Sequence, residues 1–141
     1  MSSQIYNLKI LPTVARGFAC DLRKGDVVML HGDLGAGKTT FVKHLVAAMG
    51  GRVEDVTSPT FNLAHIYDLP NFRIQHFDLY RIKSKYELNN IGFSDDLSNT
   101  ITIIEWGNIA KSFLSKPFFE LSISFTSMEQ SRLLTVTRTV N

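Results

Sequence analysis

A chain of 141 residues that is 44% hydrophobic and 20% charged has the size and composition of one globular domain with a sizeable buried core. Its 15 basic and 13 acidic residues are interspersed, and a net charge of +2 is too mild to argue for direct nucleic-acid binding. Cys20 is the one cysteine, which excludes an internal disulfide and a cysteine metal cluster and leaves a small buried thiol on a helix as the expectation.

Val14, Phe18 and Leu22 recur at i, i+4 and i+8 with Ala15 and Ala19 beside them, predicting a first amphipathic helix that Lys24-Gly25 closes. Val27, Val28, Met29 and Leu30 then form a short apolar run, the pattern of a buried strand. The run leads into Gly32-Asp33-Leu34-Gly35-Ala36-Gly37-Lys38-Thr39, which fits G-x-x-x-x-G-K-[ST]. Phe41, Val42, Leu45, Val46 and Met49 follow at helical spacing until Gly50-Gly51.

Strand, glycine-rich loop and helix, in that order, are what wraps the phosphates of a nucleoside triphosphate. Residues without a Cβ let successive backbone N–H groups turn inward as an anion nest. Lys38 supplies a point charge toward the β- and γ-phosphates, the Thr39 hydroxyl is a Mg²⁺ ligand, and the helix start adds its partial positive charge. The chain is therefore expected to bind ATP or GTP.

Thr57, Ser58, Pro59, Thr60 and Phe61 form a hydroxyl-rich segment whose backbone Pro59 stiffens; it is either a sensor of a γ-phosphate or a turn into a strand. Phe61, Leu63, His65 and Tyr67 alternate with Asn62, Ala64 and Ile66, Asp68-Leu69-Pro70-Asn71 turns, and residues 72–78 run back, predicting an antiparallel hairpin. Within it His76 reads as a packed strand histidine rather than a proton carrier, and Arg81 as a phosphate finger or a plain surface charge. Arg81, Lys83 and Lys85 together read as a solvated face. Ser84 to Glu87 matches a capping box that starts a short helix carrying Leu88 and Ile91 and ending at Gly92. Ile101, Ile103 and Ile104 form a buried strand, and Trp106, Ile109, Ala110 and Phe113 a helix before Pro117. Phe119, Leu121, Ile123 and Phe125 alternate with polar residues, and Leu134 and Val136 belong to a last strand.

The expected fold is α/β: a mixed sheet of the phosphate-loop NTPase kind flanked by helices, with antiparallel hairpins, as one domain over residues 1–141. Hydrolysis needs carboxylates as well as the loop. Asp78 and Glu105 each end a predicted strand, where ligands collect in an open α/β sheet. Each is either a metal or water ligand or a solvated acid at a strand end.

Residues 32–40 (GDLGAGKTT), 58–61 (SPTF), 76–81 (HFDLYR) and Glu105-Trp106, in this order and spacing, resemble the TsaE family, also called YjeE. These are small bacterial ATPases needed for threonylcarbamoyl adenosine in tRNA. The resemblance implies ATP as nucleotide, with Gly35, Ala36, Gly37, Lys38, Thr39 and Thr40 on its phosphates and Trp106 packed near it. It implies Mg²⁺ held by Thr39 and Asp78, with Glu105 at the metal or γ-phosphate as the activating carboxylate beside Lys38. Residues 58–61 would be a switch-like segment, and Arg132 matches a basic position on the nucleotide loosely. Partners implied are TsaD and TsaB, with tRNA met through that complex. Gly107-Asn108 depart from the family, which usually has Pro and then an acid or amide there.

Two other readings share the phosphate loop: a small-molecule kinase and a nucleotide-gated binding module. No apolar run approaches the ~20 residues of a membrane span, and residues 1–4 lack the build of a secretory signal, so a cytosolic protein without membrane contact is expected.

Overall fold

Val27, Val28, Met29 and Leu30 are buried on both faces of their strand, as a run without alternation requires, and the molecule is built outward from them. The structure, a computed structural model, describes residues 1–59, 63–93, 96–114 and 117–139. In chain order it contains β1 (Ser2–Tyr6), α1 (Leu11–Ala19), β2 (Val27–His31), α2 (Lys38–Ala48), β3 (Ala64–Asp68), β4 (Arg73–Asp78), α3 (Lys85–Asn90), β5 (Ile101–Glu105), β6 (Phe118–Phe125) and β7 (Arg132–Thr139). Short 3-10 turns cover Val53–Asp55 and Asn108–Phe113.

The strands form one mixed sheet in the order β1-β7-β6-β2-β5-β4-β3. β6, β2, β5 and β4 run parallel at its centre, while β7 on β6, β1 on β7 and β3 on β4 are antiparallel. This is the mixed α/β architecture expected. Because side chains alternate along a strand, β2 sends Val28 and Leu30 to one face and Val27 and Met29 to the other. The first face packs with Ile74, Ile101 and Ile103 beneath α1 and α2, through Phe18, Phe41, Val42 and Leu45. The second packs Phe77 and Ile104 with Leu88, Phe93 and Ala110.

Gly50 ends α2 at φ 101°, a left-handed angle that a Cβ resists, and the Gly51 N–H returns to the Val46 carbonyl at 3.0 Å. A Cβ at Gly51 would stand 2.6 Å from Val46 Cγ1, so that closure leaves no room for a side chain. At α3 the Ser84 hydroxyl accepts from the Glu87 N–H at 3.2 Å and the Glu87 carboxylate accepts from the Lys83 N–H at 3.0 Å, close to the capping box read from sequence.

Several expectations need correction. The first helix stops at Ala19 rather than running to Leu22, which is nonetheless buried in the turn that follows. Cys20 consequently sits at the helix cap and is exposed, not buried. Leu63 has a left-handed φ of 65°, so the hairpin's first strand begins at Ala64; Phe61 and Asn62 lie outside the described residues. The predicted helix after β5 is a 3-10 turn, because Trp106 adopts φ 56° and breaks the helical path before Asn108. β1 was not anticipated: four of its five residues are exposed, and a polar edge strand carries little alternation. Among the described residues no helix is long and apolar enough to cross a membrane.

Glu120 of β6 ties four elements together. Its carboxylate accepts from Thr139 Oγ1 at 2.6 Å and meets His31 Nε2 at 3.0 Å and Lys111 Nζ at 3.1 Å. Burial pushes its pKa up, but these hydrogen bonds outweigh that and bring it from 4.5 down to about 2. A folded value below the unfolded one means stabilisation fully present above pH 4.5 and lost as pH falls toward about 2. The thermal midpoint, followed by circular dichroism, should therefore fall more steeply across that window in the native chain than in Glu120→Gln; parallel curves would refute the coupling.

Candidate functional site

β2 delivers the chain to Gly32, and the loop that follows is shaped by its glycines. Gly35 (φ 81°) and Gly37 (φ 105°) both hold left-handed backbone that residues with a Cβ rarely adopt. Gly37 is also the N-cap of α2, where no side chain satisfies the first amides, so those donors are open to an anion. Lys38 is buried at the first helical position. Its Nζ donates to the Gly32 carbonyl and stands 4.2 Å from the centroid of the Trp106 ring. The lysine thus lies folded across the mouth of its own loop, with the indole as its other wall.

Trp106 reaches that place because its left-handed backbone turns the chain sharply at the end of β5; its ring meets Tyr80 edge-on at 5.0 Å. Arg132 approaches from the opposite side. Its Nε donates to the Ala36 carbonyl at 3.0 Å, its Nη1 donates to the Glu129 and Ser131 carbonyls, and its guanidinium lies 4.7 Å from the Phe125 ring centroid. Between Arg132 and the loop lies a cavity of about 680 Å³, walled also by Gly35, Thr40, Tyr6 and Leu8. That volume falls in the range of small-molecule sites. Tyr6 and Leu8 escaped the sequence reading because β1 itself did; the only signal was the apolar Ile5-Tyr6 pair. Burial pushes the Tyr6 hydroxyl pKa up, with the charge of Arg132 partly opposing it.

The two acids come from neighbouring strands. β4 and β5 run parallel with Asp78 opposite Glu105, and Glu105 is opposite Leu30 on its other side, two positions before Gly32. Ile74 and Ile103 belong to the core under α2, so by alternation Asp78 and Glu105 also face the side of the sheet that carries the loop. Both are buried. Asp78 Oδ1 accepts from the Tyr80 N–H at 3.0 Å, and Glu105 Oε2 lies 2.6 Å from His76 Nε2. A carboxylate only accepts, so the imidazole carries its proton on Nε2 and donates it.

Thr57 is anchored to the edge strand: the Tyr67 hydroxyl donates to its carbonyl at 3.4 Å, and His65 Nδ1 lies 3.2 Å from the same oxygen. Burial raises the Tyr67 hydroxyl pKa, the Thr57 contact lowers it and the charge of Glu105 raises it again. Thr60 and Phe61 of the hydroxyl-rich segment lie outside the described residues. Arg81 is exposed beyond the end of β4.

The structure therefore brings Lys38, Trp106 and Arg132 to the loop and sets Asp78 beside Glu105. Among the described residues no three His, Cys, Asp or Glu side chains form a metal-binding group. What is present is a set of hard oxygen donors, the Thr39 hydroxyl with the Asp78 and Glu105 carboxylates, on elements that meet at the carboxyl ends of parallel strands.

Comparison with known proteins agrees with this arrangement. The family model described as threonylcarbamoyl adenosine biosynthesis protein TsaE matches residues 6–134, a span that includes both Tyr6 and Arg132. A tRNA threonylcarbamoyladenosine biosynthesis protein TsaE from Rickettsia typhi is 44% identical over 109 residues, covering 77% of this chain and 76% of the relative. Its counterpart from Borreliella burgdorferi is 38% identical over 104 residues, covering 72% and 74%. The crystal structure of Bacillus subtilis YdiB superposes with a TM-score of 0.71 over 99% of this chain and 87% of that one; at 22% identity it speaks for the fold. A phosphate loop, two acids on adjacent strands and a family match across nearly the whole chain lead to one conclusion: the chain belongs to the TsaE family of threonylcarbamoyl adenosine biosynthesis proteins.

Proposed function

We propose that this protein binds ATP and hydrolyses it slowly, as the ATPase subunit that supports threonylcarbamoyl adenosine formation in tRNA together with TsaD and TsaB. The observation that carries the reading is the placement of Asp78 and Glu105 as register partners on the face that carries the glycine loop. A loop without such acids is a binding element; with them it has the parts of a hydrolase.

The chain's own residues divide the work as follows. The amides of Gly35, Ala36, Gly37, Lys38, Thr39 and Thr40 take the phosphate oxygens, and Lys38 leaves the Gly32 carbonyl to meet the β- and γ-phosphates. Thr39 and Asp78 are the donors that would hold Mg²⁺, with Glu105 near it; when bound, the ion offsets phosphate charge. Glu105 orients the water that attacks the γ-phosphorus in line, and the loop amides and Lys38 neutralise the charge that develops. The base and ribose occupy the cavity between Arg132, Tyr6 and Leu8, while Trp106 closes the phosphate end. Of the two cations set against the loop, Lys38 is available to the phosphates and Arg132 is committed to the Ala36 carbonyl. A partner that adds a further cation at the phosphates would accelerate such a site.

Lys38→Ala should abolish ATP binding in a titration of the Trp106 emission. Glu105→Ala should leave binding intact and lower phosphate release by about ten- to a thousandfold, the scale for removing a water-orienting group. Unchanged release would reject the chemical role. Release of phosphate without any acceptor is expected, and phosphate appearing instead on an added metabolite would show a kinase. The protein should co-purify with TsaD and TsaB of the same cell, more so with ATP and Mg²⁺; no association in either condition would overturn the partner assignment.

A further inference from the structure

His76 has no place in the chemistry above, yet its position in the fold is unusual. It lies in the middle of β4, flanked by buried Gln75 and Phe77, and is fully buried itself. On its face of the sheet the neighbouring positions are Ile74 and, across the ladder, Ile103. An aliphatic residue would pack there without difficulty. The imidazole instead carries a cost: among the described residues the buried Nδ1 has no hydrogen-bond partner, an arrangement that folded proteins largely avoid. Its other nitrogen makes one contact, Nε2–H to Glu105 Oε2 at 2.6 Å. The ring is also held from the edge strand, where Tyr67 packs against it at 6.3 Å between centroids with its planes tilted by 39°.

Glu105 completes the picture. Oε2 is taken by His76, whereas Oε1 has no hydrogen bond among the described residues. We propose that His76 is a positioning residue: it fixes the Glu105 carboxylate through Oε2 and so presents Oε1, in one orientation, to the water that attacks ATP. This rests on the hydrolytic reading above. A carboxylate on a flexible two-carbon stem otherwise samples several rotamers, and a group that must orient a water loses rate with each unproductive one. Tyr67 serves as the wall that keeps the imidazole from turning away, and through its hydroxyl it joins this pair to Thr57 of the hydroxyl-rich segment.

The full chain with ATP and Mg²⁺ provides the test. His76→Phe keeps a planar ring against Tyr67 and removes the donor. It should lower kcat about 10–100-fold, the scale for losing a partner that orients an active-site group. Its ATP affinity, read separately from the emission of Trp106, should stay within about threefold, because the carboxylate's orientation matters for the water and not for holding the nucleotide. His76→Gln, whose side-chain amide reaches the place of Nε2, should recover most of the rate, whereas His76→Asn, whose amide stands near Nδ1, should not. In a Glu105→Ala background His76→Phe should cost nothing further, since residues acting as a unit are not additive.

Full turnover in His76→Phe, equal turnover in His76→Gln and His76→Asn, or an undiminished loss in the Glu105→Ala background would each overturn the proposal while leaving the hydrolytic reading in place. If His76→Phe fails to fold, as a thermal melt would show, the comparison of the Gln and Asn variants decides alone. A native chain that binds ATP and releases no phosphate would instead overturn the hydrolytic reading, and the positioning role with it.

Discussion

The parallel alignment of β4, β5 and β2 is the constraint on which the site depends. It sets Asp78 opposite Glu105 and Glu105 opposite Leu30, two residues before Gly32, so three strand ends meet at one level. Parallel strands need long crossovers, and here those crossovers supply α2 above the sheet and α3 with the 3-10 turn below it. The two apolar cores that hold the helices in place therefore also hold the register of the acids. A slip of one residue in β4 would turn Asp78 and His76 to the opposite face and dismantle the arrangement at a stroke.

The central strands and α2 were legible because their patterns are strong and local: an apolar run in residues 27–30, a glycine loop, and helical spacing from Phe41 to Met49. Asp78 and Glu105 were legible as strand ends, and Ser84 as a helix start. What sequence did not disclose has a physical reason in each case. β1 is polar and nearly all exposed, and only its pairing with β7 makes it a strand. Trp106 adopts a left-handed backbone that its side chain disfavours, held by the lysine, the tyrosine and the turn around it, and that angle replaced the predicted helix by a 3-10 turn. The partnership of His76 and Glu105 spans 29 positions and depends on the β4–β5 register, which no periodicity reveals.

Lys38 and Arg132 brace the loop from its two sides. Each contributes a hydrogen bond to a loop carbonyl, Lys38 to Gly32 and Arg132 to Ala36. Within the loop the Ala36 N–H is itself held by the Asp33 carbonyl at 3.0 Å, and the first amides of α2 have no side-chain cap. The lysine has that hydrogen bond to Gly32 and the face of Trp106. The guanidinium is held more firmly, braced also by the Glu129 and Ser131 carbonyls and by Phe125.

The cleft next to the loop is closed by the strand nearest the N-terminus and the strand nearest the C-terminus, zipped together over five register pairs from Ser2 with Val136 to Tyr6 with Arg132. β1 and β7 enclose every other element in chain order, so this wall forms only when two strands far apart in sequence pair, whereas the glycine loop between β2 and α2 is a local feature. Any molecule lodged in that cleft would bear on β1 and β7 at once and so oppose their separation.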